Sequence, residues 1–135
     1  MSSGARVAVP YLTIAGYASA KEVAGIRRRV REFAAEHGAS AREVFAIGHA
    51  VGEAVVNSVV HGYGGVGGEV RVEVDVEDGE IEVVVADGGR GFTTAPTEGL
   101  GLGLAFVRAG ATAFEIRDRT HGGVEVWMRF ALEGG

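Results

Sequence analysis

Glu53, Asn57 and His61 recur at intervals of four residues, the spacing that lines side chains up on one helix face about 5–6 Å apart. A carboxylate and a carboxamide in such a row could serve a magnesium phosphate ester. Magnesium prefers hard oxygen ligands in octahedral geometry, taking one or two from protein and the rest from water and phosphate. Asn57 offers a neutral oxygen ligand and Glu53 a base one turn away. A solvated polar stripe would carry the same triplet, and the spacing alone does not decide between the two. His49 extends the row at i−4 and reads as structural.

A second carboxylate sits in Ala86-Asp87-Gly88-Gly89-Arg90-Gly91-Phe92, directly after the apolar run Val83-Val84-Val85. An ionised carboxylate only accepts hydrogen bonds. At a strand end lined by glycine backbone it would suit the exocyclic amine of adenine and repel the carbonyl that guanine puts there. An Asx-type turn is the competing reading. The third signal is Gly99-Leu100-Gly101-Leu102-Gly103-Leu104, which runs into a short helical pattern. Helix-start N–H groups carry about half a positive charge and bind phosphate. The order of elements is not that of a Rossmann fingerprint. Nor is it a P-loop, because the single lysine, Lys21, lies far from every glycine cluster.

The elements that must position these residues are legible in the periodicity. Arg6–Ile14, with Pro10 inside it, reads as an edge strand. Ser19 with Glu22 and Ser40 with Glu43 have capping-box spacing, each opening an amphipathic helix. The first helix ends at Gly38. The second is expected to run to about His61, with Val44, Ile47, Val51, Ala54, Val55 and Ser58–Val59 as its buried stripe. Glu69–Glu77 and Glu80–Ala86 alternate on either side of Asp78-Gly79, a hairpin signal. Leu102–Ala109 reads as a short helix, and Ala113–Asp118 and Val124–Leu132 as two more strands. The order β-α-α-β-β-α-β-β predicts an α+β two-layer sandwich. Its sheet is expected to be mixed and mostly antiparallel, with three helices on one face. Arg27-Arg28-Arg29 with Arg31 reads as a solvated face, and Trp127 and Phe130 as core.

Composition bounds the rest. A chain of 135 residues fits one domain, with Glu133–Gly135 as a short tail. With no cysteine, disulfides, thiolate zinc sites, iron–sulfur clusters and Cys nucleophiles are excluded. The net charge of −5 argues against a duplex nucleic acid partner. No apolar run reaches the ~18 residues of a membrane span, so a cytoplasmic protein with no membrane partner is expected. Glycine stands out at 23 of 135 residues, against a usual ~7%. Its clusters at Gly62–Gly68, Gly88–Gly91 and Gly99–Gly103 fall at the ends of periodic segments, where close backbone approach to a ligand is useful.

Taken in order, E-x-x-x-N on a long helix, D-x-G-x-G after a strand and G-x-G-x-G before a short helix resemble the Bergerat ATP-binding fold. That fold defines the GHKL superfamily of gyrase B, the Hsp90 chaperone, histidine kinases and MutL. Glu53-Ala54-Val55-Val56-Asn57-Ser58-Val59-Val60-His61-Gly62-Tyr63 looks most like the small anti-sigma factor serine/threonine kinases. The resemblance implies ATP and Mg²⁺ as cofactors. It makes Glu53 the general base, Asn57 the magnesium ligand and His61 a neighbour of the phosphates. It makes Asp87 the adenine-amine acceptor, Gly89 and Gly91 the walls of the base pocket, and Gly99, Leu100, Gly101, Leu102 and Gly103 the phosphate-contacting part of the lid. It further implies an anti-sigma factor that phosphorylates a STAS-type anti-anti-sigma protein, sequesters a sigma factor and works as a homodimer. Two departures from the family pattern stand in the chain. The stretch Phe92–Glu98 is only seven residues where the lid is usually longer, and Val124 replaces a usual Thr that supports the adenine-binding Asp. These departures motivate a non-catalytic or weakly ATP-binding partner-switching module as the alternative. A stand-alone histidine-kinase-type ATPase domain is the third reading.

Overall fold

Alternating apolar residues build a single five-stranded sheet in a computed structural model of the chain, which describes residues 10–59, 68–88, 110–118 and 123–133. Strand β1 (Tyr11–Ala18) is followed by one 3₁₀ turn (Ala20–Glu22) and helices α1 (Val23–Glu36) and α2 (Ala41–Asn57). Strands β2 (Gly68–Glu77), β3 (Glu80–Asp87), β4 (Ala111–Asp118) and β5 (Val124–Ala131) complete the order. The strands lie in the sequence β1-β2-β3-β5-β4, and each of the four pairings is antiparallel. The α+β sandwich is therefore as expected, but its sheet contains no parallel pair among the described residues. Two α-helices are described on its covered face; the helix expected at Leu102–Ala109 lies outside the described residues.

Local chemistry explains the boundaries. The expected first strand, Arg6–Ile14, is described from Tyr11 and runs on to Ala18, while its residues 6–9 lie outside the described residues. Pro10 has no N–H for a ladder, yet its carbonyl accepts from Val76 N at 3.2 Å, so it ends the strand while still using its one remaining group. Both capping boxes form as spaced: Ser19 opens the 3₁₀ turn and Ser40 opens α2. Gly38 stops α1 with φ +106, a conformation side chains resist. Asp78 and Gly79 have φ 54 and 75, the two positive values of a type I′ turn, and they set Glu77 opposite Glu80. Helix α2 passes into π geometry at Ser58 and Val59, and the rest of its expected run to about His61 lies outside the described residues.

Between the layers, α1 contributes Val23, Ile26, Val30, Phe33 and Ala34, and α2 contributes Ile47, Val51, Ala54 and Val55. The sheet answers with Val70, Val72 and Val74, then Ile81, Val83 and Val85, then Val124, Val126, Met128 and Phe130. Each such side chain stabilises by about 1.5–3 kcal/mol when fully buried. The two helices pack along Gly48 and Gly52, over which the Arg31 side chain and the Arg27 guanidinium lie; a Cβ at Gly48 would overlap Arg31, and one at Gly52 would crowd Arg27. These two arginines are thus partly packed rather than fully solvated. On the open sheet face Arg117 and Arg129 both lie over the Trp127 ring, at 5.6 and 4.7 Å, and Arg129 bonds Glu82 at 3.1 Å.

Two measurements follow. Val83, in a strand flanked on both sides, is fully buried; Val83→Ala is expected to cost about 2–3 kcal/mol in urea unfolding, by lost burial and a residual cavity. On the open face, burial and then the negative charges of Glu82 and Glu77 push the Asp75 carboxyl above its ordinary range. A folded-state pKa above the unfolded value means that the folded chain holds the proton longer. Asp75 therefore costs stability at neutral pH, and the cost is relieved as pH falls through the raised value. Asp75→Asn is expected to raise the thermal midpoint at about pH 7 and to have no such effect at about pH 3, read by paired melts.

Candidate functional site

The corner where α2 begins fixes where it ends. Glu43 accepts from Ser40 N at 2.8 Å and from Glu133 N at 2.7 Å, tying the first turn of α2 to the end of β5. Leu132 N donates to Gly79 O at 2.8 Å, so the β2–β3 turn lies at the same corner. Helix α2 packs against β3. From Glu43 to Asn57 the helix rises about 21 Å at 1.5 Å per residue, and from Glu80 to Asp87 the strand advances about 23 Å. Both elements start at one corner and have nearly equal length, so a helix running along the strand would bring Asn57 to the end at which Asp87 lies.

At that end Glu53 and Asn57 stand one turn apart on the flank of α2. Asn57 Nδ2 donates to the Glu53 carbonyl oxygen at 3.0 Å. That bond turns the amide nitrogen back onto the helix and leaves Oδ1 as the oxygen to offer outward. The Glu53 side chain is about half exposed, with His49 Nε2 at 4.0 Å on the turn before it. Among the described residues no group of three His, Cys, Asp or Glu is placed to hold a metal ion. A magnesium ion here would take one protein oxygen, from Asn57, and complete its shell with phosphate and water, as this ion does in nucleotide sites. The donor set fits that role.

Asp87 is the other half of the site. It ends the inward row Ile81, Val83, Val85, Asp87, and it is 2% exposed. It is a carboxylate at the edge of an apolar core, which an Asx turn alone would not require. Its partner across β2 is Val70. On the other side the β3–β5 register reaches Ala86↔Glu125, and one further step sets Val124, itself buried, opposite Asp87. Gly123 comes so close, with φ +92, that a Cβ there would overlap the Asp87 carbonyl. Gly123 precedes β5 beside Gly122, and nothing in that local pattern signals that its backbone lies against Asp87. His61, Gly89, Gly91, Gly99, Leu100, Gly101, Leu102 and Gly103 lie outside the described residues.

The match of known families decides what kind of fold this is: residues 17–130 fit the family described as Histidine kinase-like ATPase domain. The chain belongs to that family. Among curated proteins it is 35% identical to an anti-sigma F factor of Clostridium botulinum (strain Eklund 17B / Type B), over 52% of this chain and 50% of the relative. An anti-sigma F factor of Clostridium acetobutylicum is 29% identical over 78% of this chain and 84% of that protein. Among solved structures, the RsbU and RsbW domains of Rv1364c from Mycobacterium tuberculosis superpose with a TM-score of 0.72 at 28% identity, covering 94% of this chain and 34% of that one. The chain thus spans half the length of the Clostridium botulinum relative and about a third of the solved chain. The chain is therefore a histidine kinase-like ATPase domain that is similar to curated anti-sigma F factors and to a solved chain with an RsbW domain.

Gly123→Ala tests the brace: the overlap with Asp87 and the strained φ are expected to cost about 2 kcal/mol or more in unfolding experiments. An alanine tolerated without loss would mean that the backbone contact is unimportant.

Proposed function

We propose that this ATPase domain is an ATP- and magnesium-dependent protein serine/threonine kinase acting as an anti-sigma factor. Its substrate is a serine on a small STAS-type anti-anti-sigma protein, and it sequesters a sigma factor when that protein is unavailable. It works as a homodimer in the cytoplasm, without nucleic acid or membrane contact. The observation that carries this reading is the pairing of Glu53 with Asn57 on one face of α2, at the end of the sandwich where Asp87 is buried. The names of its anti-sigma F factor relatives point the same way.

The chemistry divides among these residues. Asp87 accepts from the exocyclic amine of adenine, and the buried setting makes an unpaired alternative expensive. Asn57 Oδ1 would hold a magnesium ion, whose charge would help neutralise the phosphates. Glu53 accepts the proton of the attacking serine hydroxyl as the new oxygen–phosphorus bond forms. The bond between the β–γ bridging oxygen and the γ-phosphorus breaks, and ADP leaves. His61 and the glycines from Gly89 to Gly103 surround the nucleotide in this reading.

A second reading, a non-catalytic partner-switching module, is favoured by one feature: Val124 gives Asp87 an apolar neighbour that cannot hydrogen-bond. Transfer of labelled phosphate from ATP to a STAS-type protein separates the two. Glu53→Ala is expected to lower transfer by about 10²–10⁴-fold, and equal transfer by both proteins would remove Glu53 from the mechanism. Calorimetry with Mg-ATP is expected to show micromolar binding that Asp87→Asn weakens by more than tenfold. No binding by the unaltered protein would favour the second reading.

A further inference from the structure

Five large apolar side chains stand exposed among the described residues, and two of them, Phe45 at 66% and Val56 at 42%, belong to α2. With His49 and Gly52 they occupy the i, i+4, i+7, i+11 positions of one stripe, turned away from the core-facing Ile47, Val51 and Val55. The next column of the same face carries Glu53, whose carboxylate lies 4.0 Å from His49 Nε2. On the other side of the stripe runs α1. Its Arg31 guanidinium sits over the Phe45 ring at 5.4 Å, and its Arg27 guanidinium lies against Gly52. Packing alone does not explain these two arginines. The Nε of each is buried and finds no hydrogen-bond partner among the described residues, a cost that a side chain extended into solvent would not incur.

We infer that this stripe is where the protein substrate docks, and that it selects an acidic segment beside the phosphoacceptor serine. The inference rests on the kinase reading above and adds to it the residues that choose the substrate. A serine on another protein reaches the half-exposed Glu53 carboxylate from solvent, so the chain that carries it must run over the neighbouring surface of α2. Along the helix axis that surface offers Phe45 about 12 Å to one side of Glu53 and Val56 about 4–5 Å to the other. Aromatic and arginine side chains are the ones that most often carry binding energy at interfaces. Here Phe45 and Val56 would cover an apolar side chain of the substrate. The two guanidiniums would take its carboxylates, whose paired oxygens match the arginine fork. Glu53 stands on the flank of the stripe away from α1, so the acids fall toward α1 and the serine toward the base.

Steady-state transfer of labelled phosphate to a STAS-type protein tests the assignment, with KM for that protein and KM for Mg-ATP measured separately. Phe45→Ala, and Arg27→Gln combined with Arg31→Gln, are each expected to raise KM for the protein about tenfold. Both are expected to leave kcat and KM for Mg-ATP unchanged. Added salt is expected to raise KM for the unaltered chain and to have little effect on the arginine pair, because screening removes what the substitutions remove. An unchanged KM and salt dependence in the arginine pair overturns the choice of an acidic segment. An unchanged protein KM in Phe45→Ala, or a change only in kcat or in KM for Mg-ATP, overturns the docking role while Glu53 keeps its own. So does a loss of self-association by Phe45→Ala in sedimentation, which would mean that a second copy of the chain covers the stripe. No transfer by the unaltered protein overturns the kinase reading and this assignment with it. Phe45 is exposed, so its truncation leaves the core intact and keeps the test decisive even where the arginine pair fails to fold.

Discussion

A helix of about 21 Å and a strand of about 23 Å that start from the same corner finish together when the helix runs along the strand. The corner is held by Glu43, whose carboxylate closes the cap of α2 and takes the backbone N–H of Glu133. Everything of chemical interest lies at the far end of that pair. Glu53 and Asn57 stand on the flank of α2, Ser58 on its inward face and Asp87 at the tip of β3. The apolar rows between these ends act as a ruler. They bury enough surface to fix the register of helix on strand, so polar groups with no contact along the sequence arrive at one level.

Fixing the groups in this way is costly to the fold, and the cost is local. A buried carboxylate and a buried hydroxyl forgo apolar contacts that the rest of each row makes, and each must find a hydrogen-bond partner. The glycine at 123 forgoes a side chain so that backbone can lie against the Asp87 carbonyl. Elsewhere the chain follows ordinary stabilising rules. Capping boxes start both helical segments, a type I′ turn joins β2 and β3, and valine and isoleucine fill the inward rows. The departures gather at one end of the sandwich, where a nucleotide-binding fold has to trade packing for polar contact.

The two faces of the sheet divide the labour. The covered face carries the rows that position the site. On the open face, Arg129 runs between Glu82 and the ring of Trp127, and Asp75 sits among like charges. Side chains there bear on stability with pH from the face opposite the covered one, where Asp87 is buried.

Period and spacing determined most of the architecture. The alternation in Glu69–Glu77 and Glu80–Ala86, the Asp78-Gly79 turn and the two serine caps are local signals, and each is realised within a residue or two. Motif order was likewise sufficient to place the chain in the histidine kinase-like ATPase family. Where local signals compete, the sequence was a poorer guide. Pro10 marks where β1 is described to begin, and the regular α geometry of α2 gives way to π at Ser58 and Val59, neither of which the periodicity signalled. The burial of Asp87 at the end of β3 and of Ser58 on α2, and the contact of Gly123 with the backbone carbonyl of Asp87, 36 residues earlier, were decided only by tertiary packing. None of these follows from neighbours along the chain, because each depends on which elements pack together.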